Sequence, residues 1–350
     1  MDAAKAHVNR LNRIHLVKYF DSRKFIYRNL IHILKHKHSP DRLRSLAARS
    51  DATGRLTHME FETVVDIKTH LGEGPLWDVD QQRLYWIDSM VGNVYCATEF
   101  GEELRAWDLP GKVGSIAIRK DGLGAVAALD SGLYFLDFAS GDVAFISDPE
   151  PDLPLNRLND GKVDKRGRFI FGSMDMSENG PSGNLYRLDA DLSVHQLDTG
   201  IIVSNGPCWS PDGRTFYFCD SWSGEIWAYD YDLESGSVSN RRTFTRIDTP
   251  GGGAFDGGTV DSEGCVWNAQ VYDGRLVRYT PDGELDMVIE APVRKVTSLM
   301  FGGPDLDVLF VTSMAKPPKP TNPGDGIQRG QLFAIRGLGI TGVPESRFGA

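Results

Sequence analysis

One phrase, an apolar anchor followed by a polar turn and a second apolar run, recurs six times along this chain. It reads GPLWDVDQQRLYWID, SIAIRKDGLGAVAALD, DGKVDKRGRFIFGSMD, NGPCWSPDGRTFYFCD, GGTVDSEGCVWNAQ and SLMFGGPDLDVLFVTS. The anchors are Trp77, Ile118, Val163, Trp209, Val260 and Phe301, at spacings of 41, 45, 46, 51 and 41 residues. Such a period marks a repeat architecture, and short runs of Val, Ile, Phe, Tyr and Trp punctuated by Gly, Asp and Asn read as strands and turns. Third strand-like runs follow, as in NVYCAT, GLYFLDF, NLYRLD, EIWAYDYD and RLVRYTP. Each unit therefore predicts a four-stranded blade, and six units predict an all-β fold, a six-bladed β-propeller. A β-sandwich competes, but nothing in a sandwich requires one turn to recur six times.

A closed ring leaves no sheet edge unpaired, so one blade must be built from both ends of the body. Phe61–Ile67 and Gln331–Arg336 are expected to share blade six, giving a propeller over about residues 58–340 and a C-terminal tail at 341–350. Residues 1–57 lie outside the repeat as a basic N-terminal extension, expected to form one or two short helices or to be disordered. The net charge of −10 hides this division: residues 1–50 hold 12 Lys and Arg against 3 Asp and Glu, leaving 26 against 45 for the rest. An acidic body argues against a nucleic-acid partner and suits a cation. No apolar run is long enough for a membrane span and no secretory signal is evident, so a cytoplasmic protein is expected. Cys96, Cys208, Cys219 and Cys265 lack CxxC spacing and are expected to be buried free thiols. Nothing in the sequence specifies an oligomeric state.

The repeat also locates the chemistry. Four residues before each anchor, where the innermost strand should line the channel, stand Glu73, Gly114, Asn159, Asn205, Asp256 and Thr297. Buried polar groups without partners are costly, so a position occupied mainly by carboxylates and carboxamides calls for a ligand. Four oxygen donors, two of them anionic, suit one hard divalent cation such as Ca²⁺, Mg²⁺ or Mn²⁺; Zn²⁺ fits less well without His or Cys. The plainer alternative is that Asn and Asp cap strand ends, but caps need not recur at one register. The chain lacks G-x-S-x-G, H-E-x-x-H and P-loop motifs, which argues against a serine hydrolase or zinc protease. His70, close to Glu73, reads as a polar strand-end residue, and Trp222 and Lys316–Arg329 as candidates for pocket rim and lid.

The ordered segments LGEGPLWD, RLNDGKVDKRGRFIFGSMD, SNGPCWSPDGRTFYFCDSWSGEIWAYDYD, FDGGTVDSEGCVWNAQ and VTSLMFGGPDLDVLFVTS closely resemble the senescence-marker-protein, gluconolactonase and luciferin-regenerating family. The likeness runs from about Thr69 to Met314. It implies a six-bladed propeller with one catalytic divalent metal held by Glu73 of the GEGP motif, Asn205 of SNG and Asp256 of the usual PDG. It further implies that Arg157 and Asn159 of R-x-N-D-G contact substrate hydroxyls. Two departures stand out: Phe255 replaces the Pro before Asp256, and the acidic residue after the family's GTM motif falls on either Asp175 or Glu178. Resemblance and register together imply hydrolysis of a sugar lactone, such as glucono-1,5-lactone, to its aldonic acid. The metal would act as Lewis acid, with Asp256 or a metal-bound hydroxide activating water. The alternatives are a lactonase or esterase for a non-sugar substrate at the same site and a non-catalytic Ca²⁺-binding propeller.

Overall fold

A computed structural model of the chain describes residues 61–247, 253–315 and 326–349. Every described residue belongs to the unit Thr57–Ala350. The expected N-terminal helices and most of the candidate lid lie outside the described residues. Among the described residues all regular elements are β-strands, arranged as six four-stranded antiparallel sheets, and no helix is long and apolar enough to cross a membrane. This is a six-bladed β-propeller. Blade six is completed as the sequence predicts: Phe61–Val65 pairs with Leu332–Ile335, with Phe61 opposite Ile335 and Thr63 opposite Phe333.

The apolar runs look continuous in the sequence because both faces of each inner sheet are covered. Along Arg83–Asp88, Leu84 and Trp86 pack toward blade six while Tyr85 and Ile87 pack toward blade two, the period-two alternation of a strand with two apolar neighbours. Six such clusters fill the six interfaces between blades. Each repeat anchor faces the preceding blade, from Trp77 against Phe310 of blade six to Phe301 against Trp267 of blade five. Outermost strands such as Ser237–Arg246 are mostly exposed, so their sequences alternate weakly. All four cysteines are buried and free.

The innermost strands are Gly72–Asp78, Val113–Ile118, Asn156–Val163, Ser204–Trp209, Ala254–Val260 and Val296–Gly302. All six carry a register shift at or beside the ring position, for example between Glu73 and Leu76, Leu158 and Gly161, and Asn205 and Cys208. A bulge bends the strand and re-aims the side chains beside it. In blades one and four the residue after the ring position is a glycine at positive φ, Gly74 at 51° and Gly206 at 60°, a conformation that disfavours a Cβ.

Residues 341–349 return beneath the ring. Gly342 N–H donates to Leu306 O, Phe348 N–H to Ile118 O and Gly349 N–H to Gly167 O, each at 2.8 Å. Arg347 Nη2 meets both carboxylate oxygens of Asp78, at 2.7 and 2.8 Å. In blades three and five the matching aspartates, Asp164 and Asp261, pair with Arg168 and Arg278. The last segment supplies blade one with the arginine it lacks.

Candidate functional site

The bulged register brings Glu73, Asn159, Asn205 and Asp256 to one pocket, which also takes in Arg157 and Glu178. It encloses about 530 Å³ of empty space, part of it open solvent. Its floor is polar and its wall apolar, with Leu71, Ala254, Val271 and Met314 forming a cluster beside Tyr272. Blades two and six contribute no polar group to the floor. Gly114 makes room for its neighbour, since a Cβ there would lie 2.5 Å from Asn159 Cα. The Thr297 hydroxyl donates to Gly72 O and is 2.9 Å from Thr312 Oγ1.

Hydrogen bonds fix the carboxamides. Arg157 Nη1 donates to Asn159 Oδ1 at 2.6 Å, while Asn159 Nδ2 donates to Ser204 O at 2.7 Å and to Asn205 Oδ1 at 3.0 Å. Asn205 Nδ2 in turn donates to Ser221 Oγ at 2.9 Å. Asn159 thus bridges the arginine to Asn205, and the three donors that the resemblance names, Glu73, Asn205 and Asp256, share the pocket lining. Asp256 is held through its backbone, N–H to Asn268 Oδ1 at 3.3 Å and carbonyl from Asn268 Nδ2 at 2.7 Å and Cys219 Sγ at 3.3 Å. Its carboxylate side chain therefore enters the pocket from a fixed strand. Phe255, where the family pattern has Pro, is fully buried between blades four and five and leaves Asp256 in register.

The charges are out of balance. Burial raises the Glu73 carboxyl well above the usual carboxylate range, and the charges of Asp256 and Asp160 add to this while Arg157 opposes it. Asp256 is likewise raised, by burial and then by Asp160, against the Gly257 N–H and Arg157. Burial lowers the Arg157 guanidinium. Two buried carboxylates lining one pocket, with the charge of Asp256 raising Glu73, form a place for a cation. The donor set fits a hard divalent ion: two carboxylates, one carboxamide oxygen and neither His nor Cys among the lining residues. Among the described residues no three His, Cys, Asp or Glu side chains form a metal-holding group, as follows when one donor is an asparagine.

Glu178 and Asp175 part company. Glu178 lines the pocket and accepts from Trp222 Nε1 at 2.7 Å; Asp175 lies outside the lining, accepting from Ser177 N at 2.9 Å and Ser177 Oγ at 2.6 Å. Arg157 makes its bonds to Asn159 and Leu158 O rather than to Asp160. His70 stands outside the lining, its N–H on Asp88. The sequence reading missed Ser221, Asn268, Tyr272 and Asp160. Only Asp160 carried a signal, as an acid at the bulge position where blades one and four have glycine. Its carboxylate accepts from Gly206 N and Gly161 N, both at 2.8 Å.

A family model described as the SMP-30/Gluconolactonase/LRE-like region matches residues 71–315. The chain belongs to this family. Within the SMP-30/gluconolactonase/LRE-like family it is 36% identical to a pentonolactonase of Haloferax volcanii, over 83% of this chain and 98% of that one. It is 33% identical to a 6-deoxy-6-sulfogluconolactonase of Pseudomonas putida, over 82% and 98%. The solved structure of a calcium-binding protein, regucalcin, from Agrobacterium tumefaciens superposes with a TM-score of 0.78 at 27% identity, covering 83% and 98%.

Proposed function

We propose that this protein hydrolyses a sugar lactone, opening an aldono-lactone such as glucono-1,5-lactone to the aldonic acid with one divalent cation bound. What supports this is the sharing of one pocket by the donors Glu73, Asn205 and Asp256 and the Arg157–Asn159 pair. The relatives named as lactonases give the reaction class, and the calcium-binding relative gives the class of ion. Glu73, Asn205 and Asp256 would hold Ca²⁺, Mg²⁺, Mn²⁺ or Zn²⁺. When bound, the cation supplies Lewis-acid stabilisation of negative charge on the lactone carbonyl oxygen.

The side chains perform the remaining work. Both Asn159 amide hydrogens are committed, to Ser204 O and Asn205 Oδ1, so toward substrate Asn159 can only accept, through Oδ1. Arg157 is the donor of the pair and orients hydroxyl or carbonyl oxygens. Asp256 takes a proton from the attacking water as oxygen adds to the carbonyl carbon, then returns it to the ring oxygen as the C–O bond breaks. The apolar wall limits access of further water. The four buried free thiols accord with a cytoplasmic setting.

A pH-stat assay with a panel of sugar and non-sugar lactones, on metal-free protein and after adding each cation, tests the reading. Cation-dependent acid release from aldono-lactones is the expected result. Absence of turnover with every cation would sink it, and Ca²⁺ binding without turnover would leave a binding propeller.

A further inference from the structure

The loop entering blade three inverts the usual placement of its residues. Between Val143–Ser147 and Asn156–Val163, Leu153 and Leu155 are 39% and 69% exposed while Glu150 is only 8% exposed. Its carboxylate collects four donors, all uncharged. Oε1 accepts from Ser173 Oγ and Asn184 Nδ2, both at 2.6 Å, and from Tyr186 OH at 2.9 Å. Oε2 accepts from Asn156 Nδ2 at 3.0 Å. A buried charge is costly unless it is hydrogen-bonded, and bonds to a carboxylate are about twice as strong as neutral ones. An apolar side chain would fill the space but gather none of these donors, which come from three strands, Asn156–Val163, Phe169–Asp175 and Gly183–Leu188.

The Oε2 bond falls beside the site. Asn156 heads its strand and Arg157 follows, so the two side chains leave on opposite faces, one to Glu150 and the other to the pocket lining. Both Asn156 amide hydrogens are committed, the second to Ser182 O at 3.0 Å, and Asn156 Oδ1 accepts from Ser182 Oγ at 2.8 Å. Across the ladder Arg157 stands opposite Met174, the neighbour of Ser173. The backbone is therefore anchored on either side of Arg157, before it by Glu150 through Asn156 and after it by Ser204 O and Asn205 through Asn159. A substrate-orienting group depends on such support, since a displacement of about 1 Å can cost up to about 100-fold.

We infer that Glu150 is a positioning residue: by holding Asn156 it fixes the strand head from which Arg157 reaches the substrate. This rests on the lactonase reading above. Glu150→Gln tests it, because a carboxamide offers one acceptor oxygen where the carboxylate has two. With that oxygen on Ser173, Asn184 and Tyr186, the NH2 faces Asn156 Nδ2, donor against donor, and the link to Asn156 is cut. Tyr186→Phe is the comparison, since it removes a donor to the same carboxylate and leaves that link in place. The readouts are kcat and KM of the full chain on glucono-1,5-lactone with its activating cation, and Ca²⁺ affinity by titration calorimetry. Glu150→Gln should raise KM about tenfold while kcat and Ca²⁺ affinity stay within about twofold of wild type, the mark of weakened substrate binding alone. Asn156→Ala cuts the link from its other end and carries the same prediction should Glu150→Gln fail to fold; the double variant should raise KM no further than either single one. Tyr186→Phe should keep KM within about twofold of wild type. An unchanged KM in folded Glu150→Gln, an equal rise in Tyr186→Phe, additive rises in the double variant, or a Ca²⁺ affinity that falls in step with KM would overturn the inference alone. Wild type that opens no aldono-lactone with any cation would overturn the lactonase reading and the inference with it.

Discussion

Blades one, three, four and five carry Glu73, Asn159, Asn205 and Asp256 at a position where blades two and six carry Gly114 and Thr297, and the strand is bulged there in all six. The first group turns polar atoms into the pocket. The second serves its neighbours, Gly114 by leaving space for Asn159 and Thr297 by bonding Gly72 O. The repeat thus supplies a position, and the residue placed on it decides between chemistry and support. If so, substitutions in the two groups should separate rate from stability.

The widest separation is expected at Asp256. Asp256→Ala should lower turnover by at least about 10³, because it removes both a cation donor and the proposed base. The melting temperature of the metal-free variant should be unchanged or higher, since a carboxylate disfavoured by burial and by Asp160 is gone. Parallel rate assays and thermal scans check this. A variant that lost stability and kept its rate would place Asp256 with the supporting positions.

Gly114→Ala should do the reverse of an active-site deletion, acting on the fold first. The added Cβ would lie 2.5 Å from Asn159 Cα, Asn159 O and Leu158 O, and backbone cannot swing aside as a flexible side chain does. Overpacking of this kind costs about 2–3 kcal/mol. Denaturant unfolding measures the loss, and the rate should fall with it because the displaced strand carries Arg157 and Asn159. Unchanged stability would mean that the ring has slack at blade two.

The fold was legible because its causes repeat. Each anchor recurs at an interface between blades, and Glu73, Asn159, Asn205 and Asp256 recur at one offset from those anchors. What escaped was whatever depends on pairs distant in sequence or on backbone shape. Asn159 was legible by register as an oxygen donor, but not that its Oδ1 accepts from Arg157 or that its Nδ2 reaches Asn205 Oδ1 in the next blade. Asp175 and Glu178 are set apart by a turn: Asp175 accepts from Ser177, while the left-handed backbone at Glu178 accompanies its place in the pocket lining. Residues 341–349 read as a tail because GVPESRFG has no strand alternation, yet Arg347 and Phe348 bond to blades more than 200 residues earlier.

The opposite end of the same strands sharpens the comparison through a carboxylate that has no cation site. Glu345, reached by the Val163 N–H at 3.3 Å, is pushed up to about 7 by burial and by Asp160, against the pull of Lys162 and that N–H. Lys162 itself donates to Gly258 O at 2.9 Å. A carboxyl whose proton is held more tightly in the folded state makes the folded protein bind more protons than the unfolded chain between the unfolded value near 4.5 and about 7. Stability from this group is therefore present below that window and is lost as pH rises through it. Glu345→Gln should flatten the fall, a difference of about 2 kcal/mol between pH 4.5 and 7.5 after allowance for solvent screening. Urea unfolding of both proteins across that range reads it directly, and parallel curves would remove Glu345 as the cause.

The smallest effect is expected at Thr297, whose hydroxyl bonds the carbonyl of Gly72, immediately before Glu73. Thr297→Val keeps the shape and removes the hydroxyl, leaving a buried carbonyl short of one donor and Thr312 Oγ1 short of a partner. Loss of one such bond costs about 1 kcal/mol, which unfolding measurements resolve. Because neither Thr297 nor Gly72 is among the pocket's lining residues, kcat/KM of the folded variant should stay within about twofold of wild type. A rate loss approaching that of Asp256→Ala would mean that Glu73 depends on its neighbour's hydroxyl for position, and that blade six belongs with the four blades that carry the chemistry.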